Sequence, residues 1–134
     1  GSLYFSGDTG YFPGFKDIGD KYGPFDYAFM ECGAYNELWR DIHMMPEDSL
    51  QAFKDVRGKV MVPIHNGTFD LSTHAWFDPM DQITKLAKEN NVSLLIPEIG
   101  QLIDSKQEYI SSAWWDINKQ ETEKDQSLEL SIVE

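Results

Sequence analysis

Close to its amino terminus the sequence runs Tyr4-Phe5-Ser6-Gly7-Asp8-Thr9-Gly10-Tyr11. The apolar residues that enter this stretch predict a short strand over residues 3–6, and Gly-Asp-Thr-Gly is typical of a tight turn. Asp8 therefore stands where a strand ends. It is either a turn residue that bonds its own backbone or a carboxylate on the rim of a sheet, where a metal ion can approach. The local sequence favours the turn, whereas His43 and His65 further along the chain favour the metal site.

Beyond this stretch, the spacing of apolar residues predicts helices and strands in alternation. Phe15, Ile18 and Tyr22 have helical spacing, and Pro46 followed by two acids is typical of the first turn of a helix. The predicted helices cover residues 15–22, 46–57 and 78–90, and the predicted strands after the first cover residues 25–30, 60–64, 93–96 and, as a further short strand, 100–103. This alternation predicts an α/β layer with right-handed crossovers.

The composition limits the classes of function. With 41% hydrophobic and 25% charged residues, the 134-residue chain is typical of one globular domain. Its formal net charge of -12 argues against a nucleic-acid partner, because a phosphate backbone needs a basic surface. The sequence contains no apolar run long enough to predict a membrane span. The single Cys32 excludes an internal disulfide and fits a reducing compartment, so we expect a cytoplasmic protein that can lie at the periphery of a membrane.

The two ends of the chain differ from its middle. Gly1-Ser2 opens the sequence without an initiator methionine and is interpreted as a cloning remnant, so we expect a piece cut from a longer protein. Residues 1–117 are assigned to one domain. Residues 118–134 are expected to form a polar, acidic tail, in which the alternation over residues 128–132 allows a short terminal strand.

Three polar side chains are expected on one rim of the predicted sheet. Asp8 follows the first strand, His43 lies in the loop after the second, and His65 follows the third. Ligands of α/β sheets gather outside the carboxyl ends of the strands. Carboxylates and imidazoles can bind metals and carry protons, so this rim is the candidate site. Glu31 is expected to be a rim carboxylate in solvent, with a supporting contact to the site as the alternative.

Five short motifs follow one another along the chain: Phe5-Ser6-Gly7-Asp8-Thr9-Gly10-Tyr11, Gly23-Pro24-Phe25-Asp26, Gly33-Ala34-Tyr35, His43-Met44-Met45-Pro46-Glu47 and Ile64-His65-Asn66-Gly67-Thr68-Phe69. Together they resemble the carboxyl-terminal half of the metallo-β-lactamase-fold hydrolases, and most closely the branch of N-acylphosphatidylethanolamine-hydrolysing phospholipase D. The resemblance covers the chain from about Leu3 to Gly100. It implies half of an αββα sandwich, with one mixed sheet and helices on one face.

For the site, the resemblance implies a phosphodiesterase with two zinc ions. Asp8 matches the aspartate that bridges the two ions, His65 matches a ligand of the second ion, and His43 matches a histidine near the scissile phosphate. Asp8 and His65 are thus the expected metal ligands, and Asp8 and His43 the expected catalytic residues. His43 would stabilise developing charge or protonate the leaving oxygen. The implied substrate is an N-acylphosphatidylethanolamine-like phospholipid or a related phosphoester.

The chain departs from this family in one respect. It lacks the His-x-His-x-Asp-His motif of the preceding half, and its 3 histidines are His43, His65 and His74. His74 falls outside the matched motifs and is expected to be a surface or packing residue. We therefore expect this chain alone to bind zinc weakly and to be inactive. Two alternatives stay open: a sugar-phosphate lactonase of the same fold, and a non-catalytic module of that fold for binding or assembly.

Half of a two-sheet sandwich would expose the inner face of its sheet. Such an apolar patch is larger than monomers usually expose. We therefore expect the chain to form a homodimer through that face, with two-fold symmetry.

Overall fold

The computed structural model describes residues 1–104 and 112–116. Strands and helices alternate along the chain, as the spacing of apolar residues predicts. They are β1 (Leu3–Phe5), α1 (Gly14–Tyr22), β2 (Phe25–Glu31), α2 (Pro46–Asp55), β3 (Gly58–Ile64), α3 (Asp78–Glu89) and β4 (Ser93–Leu94), with a short 3-10 helix (Glu37–Trp39) between β2 and α2. The chain divides into two compact units, Gly1–Ile96, which contains all of these elements, and Pro97–Glu134.

The strands form one sheet in the order β1-β2-β3-β4, and every neighbouring pair is parallel. The mixed sheet implied by the resemblance is therefore not found among the described strands. The reason is that each connection between consecutive strands contains a helix, and a helical crossover returns the chain to the end of the sheet where the previous strand began. As a result, the carboxyl ends of β1, β2 and β3 meet at one edge.

The helices form where the sequence supplies both an end signal and an apolar face. α2 begins at Pro46, whose missing N–H is not needed in the first turn, and Asp48 accepts a hydrogen bond from the N–H of Met45 at 3.3 Å. Leu50 and Phe53 of α2 are buried, as their spacing predicts. α2 contacts β2 and β3 and also packs against both α1 and α3, so the helices cover one face of the sheet.

The two faces of the sheet differ in exposure. Strand residues directed toward the helices are fully buried: Ala28, Met30 and Met61. On the opposite face, Leu3 and Phe5 of β1 are 65% and 66% exposed, and half-buried residues of β2 lie beside them in register. We call this patch the open face; its residues are Leu3, Phe5, Tyr27 and Phe29.

Some sequence expectations concern the second unit. Residues 100–103, predicted as a short strand, form no strand. Gly100 has a φ of +87°, outside the extended region that a strand requires. The predicted acidic tail over residues 118–134, with its terminal strand, lies outside the described residues. Among the helices that the structure describes, none is both long enough and apolar enough to cross a membrane.

Candidate metal centre

The three side chains that the sequence singles out meet at one edge of the sheet. Asp8 follows β1, His43 follows the 3-10 helix after β2, and His65 follows β3 directly. Each therefore lies beyond the carboxyl end of a parallel strand, which is the edge where α/β sheets place their ligands.

Unusual backbone conformations end two of these strands. Gly7 has a φ of +66° in the turn before Asp8, and His65 itself has a φ of +65°. This left-handed conformation costs a residue with a side chain about 1–2 kcal/mol, and such strained residues concentrate at functional sites. At His65 it stops β3 and leaves the imidazole Nε2 3.4 Å from Oδ2 of Asp8.

Two glycines let the loops of the site approach one another. A Cβ at Gly33 would overlap the carbonyl oxygen of His65, and a Cβ at Gly10 would overlap that of Asp41. Neither backbone could stay in place beside a side chain. Gly33 thus allows the ends of β2 and β3 to touch, and Gly10 allows the first turn to touch the loop after β2.

The possible metal-ligating atoms lie close together. Asp8 Oδ1 is 3.0 Å from His43 Nδ1, and the rings of His43 and His65 are 5.1 Å apart between centroids. Together with Glu31, these residues offer four donor atoms that all lie within 4.8 Å of one another. Within residues 1–104 and 112–116, this is the one group of its kind.

Glu31 was expected to be a rim carboxylate in solvent, and this prediction is wrong. Its side chain is completely buried. Oε2 accepts a hydrogen bond from the N–H of Met44 at 2.7 Å, and Oε1 lies 3.2 Å from Nδ1 of His43. The end of β2 is covered by α2, whose Ser49 hydroxyl donates to the carbonyl of Glu31. Burial raises the pKa of Glu31 to about 7, although the bond from Met44 opposes the rise.

These donors fit a metal such as zinc, but they form only part of a site. Carboxylate oxygens and imidazole nitrogens are both zinc ligands. The side chain of Asp8 is 58% exposed, so an ion can reach it from solvent. Catalytic zinc usually has three protein ligands, whereas the expected ligands Asp8 and His65 supply two. With Asp8 and His65 alone, such a site would be at least one ligand short.

His74 lies apart from this group, as the sequence predicts. Its ring stacks on that of Tyr35, with centroids 4.0 Å apart. The hydroxyl of Tyr35 donates to Asp78 at the start of α3. His74 therefore packs where the loop after β2 meets α3.

An open depression of about 310 Å³ lies beside the candidate metal ligands. Asp8, His43 and His65 form its polar wall. The other wall is apolar, and its residues are Ala34, Trp39, Ile42 and Leu71. A second depression of about 270 Å³ continues from His65 past Leu71 to Phe69, which is 74% exposed. The site therefore opens onto an apolar surface, which we call the apolar rim: Trp39, Ile42, Phe69 and Leu71.

Sequence reasoning gave Glu31 a supporting contact to the site only as an alternative, and it assigned Gly33 no role in shaping the site. The signal for Glu31 was its position between Met30 and Cys32, because a charged residue inside an apolar run is either at a surface or buried for a purpose. Which of these applies depends on the helix that covers the strand end. The signal for Gly33 was weaker, because a glycine after a strand is common in ordinary turns.

Comparisons with known proteins add to this geometry. The β-lactamase superfamily domain matches residues 1–66. A Mycobacterium tuberculosis protein of uncharacterized function is 40% identical over 115 residues, which cover 84% of this chain and 31% of that protein. The N-acyl-phosphatidylethanolamine-hydrolyzing phospholipase D 1 of Caenorhabditis elegans is 35% identical over 108 residues, which cover 75% of this chain and 30% of that protein.

A solved structure is similar as well. Igni18, a metallo hydrolase from the archaeon Ignicoccus hospitalis, superimposes with a TM-score of 0.58 at 28% identity, over 75% of this chain and 40% of that one. The chain thus spans about a third of the length of the two relatives above. On the domain match and the shared architecture, the chain belongs to the β-lactamase superfamily, and its sheet and helices are part of a metallo-β-lactamase-type fold.

Proposed function

We propose that this chain is part of a zinc-dependent hydrolase that cleaves phosphodiesters, and N-acylphosphatidylethanolamine-like phospholipids in particular. The observation that carries the proposal is the meeting of Asp8, His43 and His65 at the carboxyl edge of the sheet. The activity named for the Caenorhabditis elegans relative supports the substrate class. The chain alone is proposed to be inactive, because it supplies only part of a ligand set.

Asp8 and His65 are the proposed metal ligands. The two oxygens of Asp8 diverge, Oδ1 toward His43 and Oδ2 toward His65, so one carboxylate can serve two neighbouring ions. The 3.4 Å between Asp8 Oδ2 and His65 Nε2 is compatible with two donors that each lie about 2 Å from one ion. When bound, the two zinc ions would supply Lewis acidity toward the phosphoryl oxygens and lower the pKa of a water molecule.

His43 is the proposed proton carrier. In the hydrolysis, a water oxygen bonds to phosphorus and gives up a proton, the bond from phosphorus to the leaving oxygen breaks, and the leaving oxygen takes up a proton. The side chain of His43 lines the depression beside both proposed ligands and is 17% exposed, so it can reach a bound substrate without being freely solvated. An imidazole is suited to this transfer because its ordinary pKa is close to neutral.

The apolar rim supports a lipid rather than a soluble phosphoester. Ile42 and Leu71 are largely exposed, and they border the same depression as the proposed ligands. Exposed apolar groups around a polar site are suited to a substrate with a polar head and long apolar chains. The net charge of -12 adds a preference for lipid surfaces without excess negative charge.

The test is an Asp8→Asn substitution in the longer protein, with zinc content and hydrolysis measured together. The substrates are N-acylphosphatidylethanolamine, a water-soluble phosphodiester and a sugar-phosphate lactone. We expect phospholipid hydrolysis in the unchanged protein, and in the variant a loss of about one zinc ion and of activity by about a thousandfold or more. Asp20→Asn is the matched control, because Asp20 is an exposed acid that pairs with Lys16 on α1.

The outcomes separate the alternatives. Hydrolysis of the lactone alone would show that the site belongs to a lactonase and not to a phosphodiesterase. No hydrolysis of any of the three substrates by the zinc-loaded protein would favour a non-catalytic module. Unchanged zinc content and activity in Asp8→Asn would show that Asp8 is a turn residue and not a metal ligand.

Two further parts of the proposal concern partners and location. We propose that the chain pairs with a second copy through the open face, because Leu3 and Phe5 are apolar and exposed there. We also propose a cytoplasmic location at the periphery of a membrane. The buried free thiol of Cys32, whose pKa burial raises to about 12, fits a reducing compartment.

A further inference from the structure

Glu31 is the one carboxylate of the metal-competent group that solvent does not reach. A charged group can be buried only if other groups compensate the loss of water. Among the contacts that do so, Oε2 accepts the N–H of Met44 at 2.7 Å, and Oε1 faces Nδ1 of His43 at 3.2 Å. Nδ1 of His65 is farther from the same oxygen, at 3.9 Å.

The backbone of Glu31 is held on both sides, so the carboxylate has a defined direction. Its N–H donates to Oγ of Ser6, at the end of β1, at 2.9 Å. Its carbonyl accepts the hydroxyl of Ser49 from α2. β2 also pairs with β3 up to Glu31 itself, opposite Ile64. Glu31 is therefore anchored by three neighbouring elements, unlike the exposed turn that carries Asp8.

Nδ1 of His43 lies close to two acidic side chains. Asp8 Oδ1 lies 3.0 Å away and Glu31 Oε1 lies 3.2 Å away. An acidic oxygen accepts a hydrogen bond, so both contacts favour a proton on Nδ1. Asp8 is also the proposed metal ligand, and an oxygen that binds an ion is a poorer acceptor for a second donor. Glu31 is then the acceptor that keeps its bond to His43.

We propose that Glu31 is a positioning residue that holds His43 in the tautomer with the proton on Nδ1 and leaves Nε2 free to exchange a proton with the substrate. A buried acid orients a catalytic histidine in this way elsewhere. The inference rests on the proposed function only for the exchange of a proton between Nε2 and the substrate. The tautomer itself is a property of this chain.

The first measurement uses the unchanged chain, labelled with ¹⁵N, at a pH above the pKa of about 7 of Glu31. Long-range ¹H–¹⁵N correlation distinguishes a protonated from an unprotonated imidazole nitrogen. We expect His43 to carry its proton on Nδ1, both without metal and after zinc is added. The signals are assigned with His65→Gln and His74→Gln. A neutral His43 with its proton on Nε2 in the unchanged chain overturns the proposal without any change at Glu31.

The second measurement is the Glu31→Gln variant. A glutamine has one acceptor oxygen, and the N–H of Met44 requires it, so the amide NH₂ would face Nδ1 of His43. We expect the ratio of tautomers to shift toward Nε2–H by about tenfold or more, as the loss of one charge-assisted hydrogen bond predicts. Glu47→Gln is the matched control, because it removes an equal charge from an exposed position on α2.

Each outcome bears on this proposal alone, because no substrate is involved. An unchanged tautomer ratio in a folded Glu31→Gln chain contradicts the role of Glu31. If Glu31→Gln does not fold, the measurement on the unchanged chain still tests whether His43 carries its proton on Nδ1. A protonated Nδ1 together with an inactive longer protein would leave the inference standing and the proposed function rejected.

Discussion

At Gly33 the ends of β2 and β3 come so close that the backbone leaves no room for a side chain. The residue that faces it, His65, has its own strained conformation, with a φ of +65°. A histidine imidazole is thereby held beside Asp8 by a glycine on a neighbouring strand. At the scale of single residues, the site is thus defined by close backbone contact as much as by its polar side chains.

A Gly33→Ala substitution is expected to destabilise the fold by about 3 kcal/mol or more, because its methyl group would overlap the carbonyl of His65. Gly7→Ala is the comparison. Space is open there, and only the φ of +66° opposes a side chain, at about 1 kcal/mol. Urea unfolding of both variants measures the difference. A smaller loss in Gly33→Ala than in Gly7→Ala would show that the two strand ends are not in contact in solution.

At the scale of elements, Asp26 connects the starts of three strands. Its Oδ2 accepts the N–H of Ser2, just before β1, at 2.8 Å, and its Oδ1 accepts Nζ of Lys59 on β3 at 2.7 Å. The hydrogen bond from Lys59 is the main reason that the pKa of Asp26 falls from 3.8 to about 2. These contacts lie at the amino ends of the strands, opposite the candidate site, so they bear on stability and not on metal binding.

This lowered pKa predicts how stability responds to acid. A carboxyl group with a lower pKa in the folded state adds stability above its unfolded pKa of 3.8, and this stability is lost as the pH falls toward about 2. We expect Asp26→Asn to show a shallower loss of stability than the unchanged chain over that range. Urea unfolding at a series of pH values measures it.

Lys59→Gln is the matched variant for this prediction, because it removes the main cause of the shift and leaves the carboxyl in place. It should reduce the acid dependence in the same direction as Asp26→Asn. If both variants lose stability as steeply as the unchanged chain, the pair between β2 and β3 does not form in solution.

At the scale of the whole molecule, the sheet is covered by helices on one side only. On the other side the open face presents Leu3 and Phe5, and Phe5 contacts the ring of Phe29 with centroids 6.4 Å apart. Apolar surface of this kind is usually buried against a partner. We propose that the partner of this face is a second copy of the chain. A two-fold axis would then place the same residues on both sides of the contact.

The prediction from this face is a dimer of about twice 15.4 kDa in light scattering at high concentration. Phe5→Glu should weaken the dimer by about tenfold or more, because it places a charge at the centre of an apolar contact. Leu38→Glu is the control: Leu38 is 88% exposed but lies in the 3-10 helix, away from the open face. A monomer in the unchanged chain, or equal weakening by both substitutions, would contradict pairing through this face.

Much of the fold follows from local signals. The helix starts at Pro46 and Asp78 were predicted to the residue, because a proline and acids in a first turn are signals that need no tertiary contact. Asp8, His43 and His65 were placed on one edge for a similar reason, since helices between strands put all the carboxyl ends together. The end of β4 and the region after it were predicted less well, because short apolar runs there carry no comparable end signal.

The sequence by itself determined the order of the elements, the helix boundaries to within two residues and the three polar residues of the rim, because periodicity and end signals act over a few residues. Only the tertiary structure decided that Gly33 must lack a side chain and that Glu31 is buried against His43. The constraint at Gly33 and the burial of Glu31 depend on the loops and the helix that pack against the ends of the strands. Such contacts join residues far apart in the chain, and no local pattern records them.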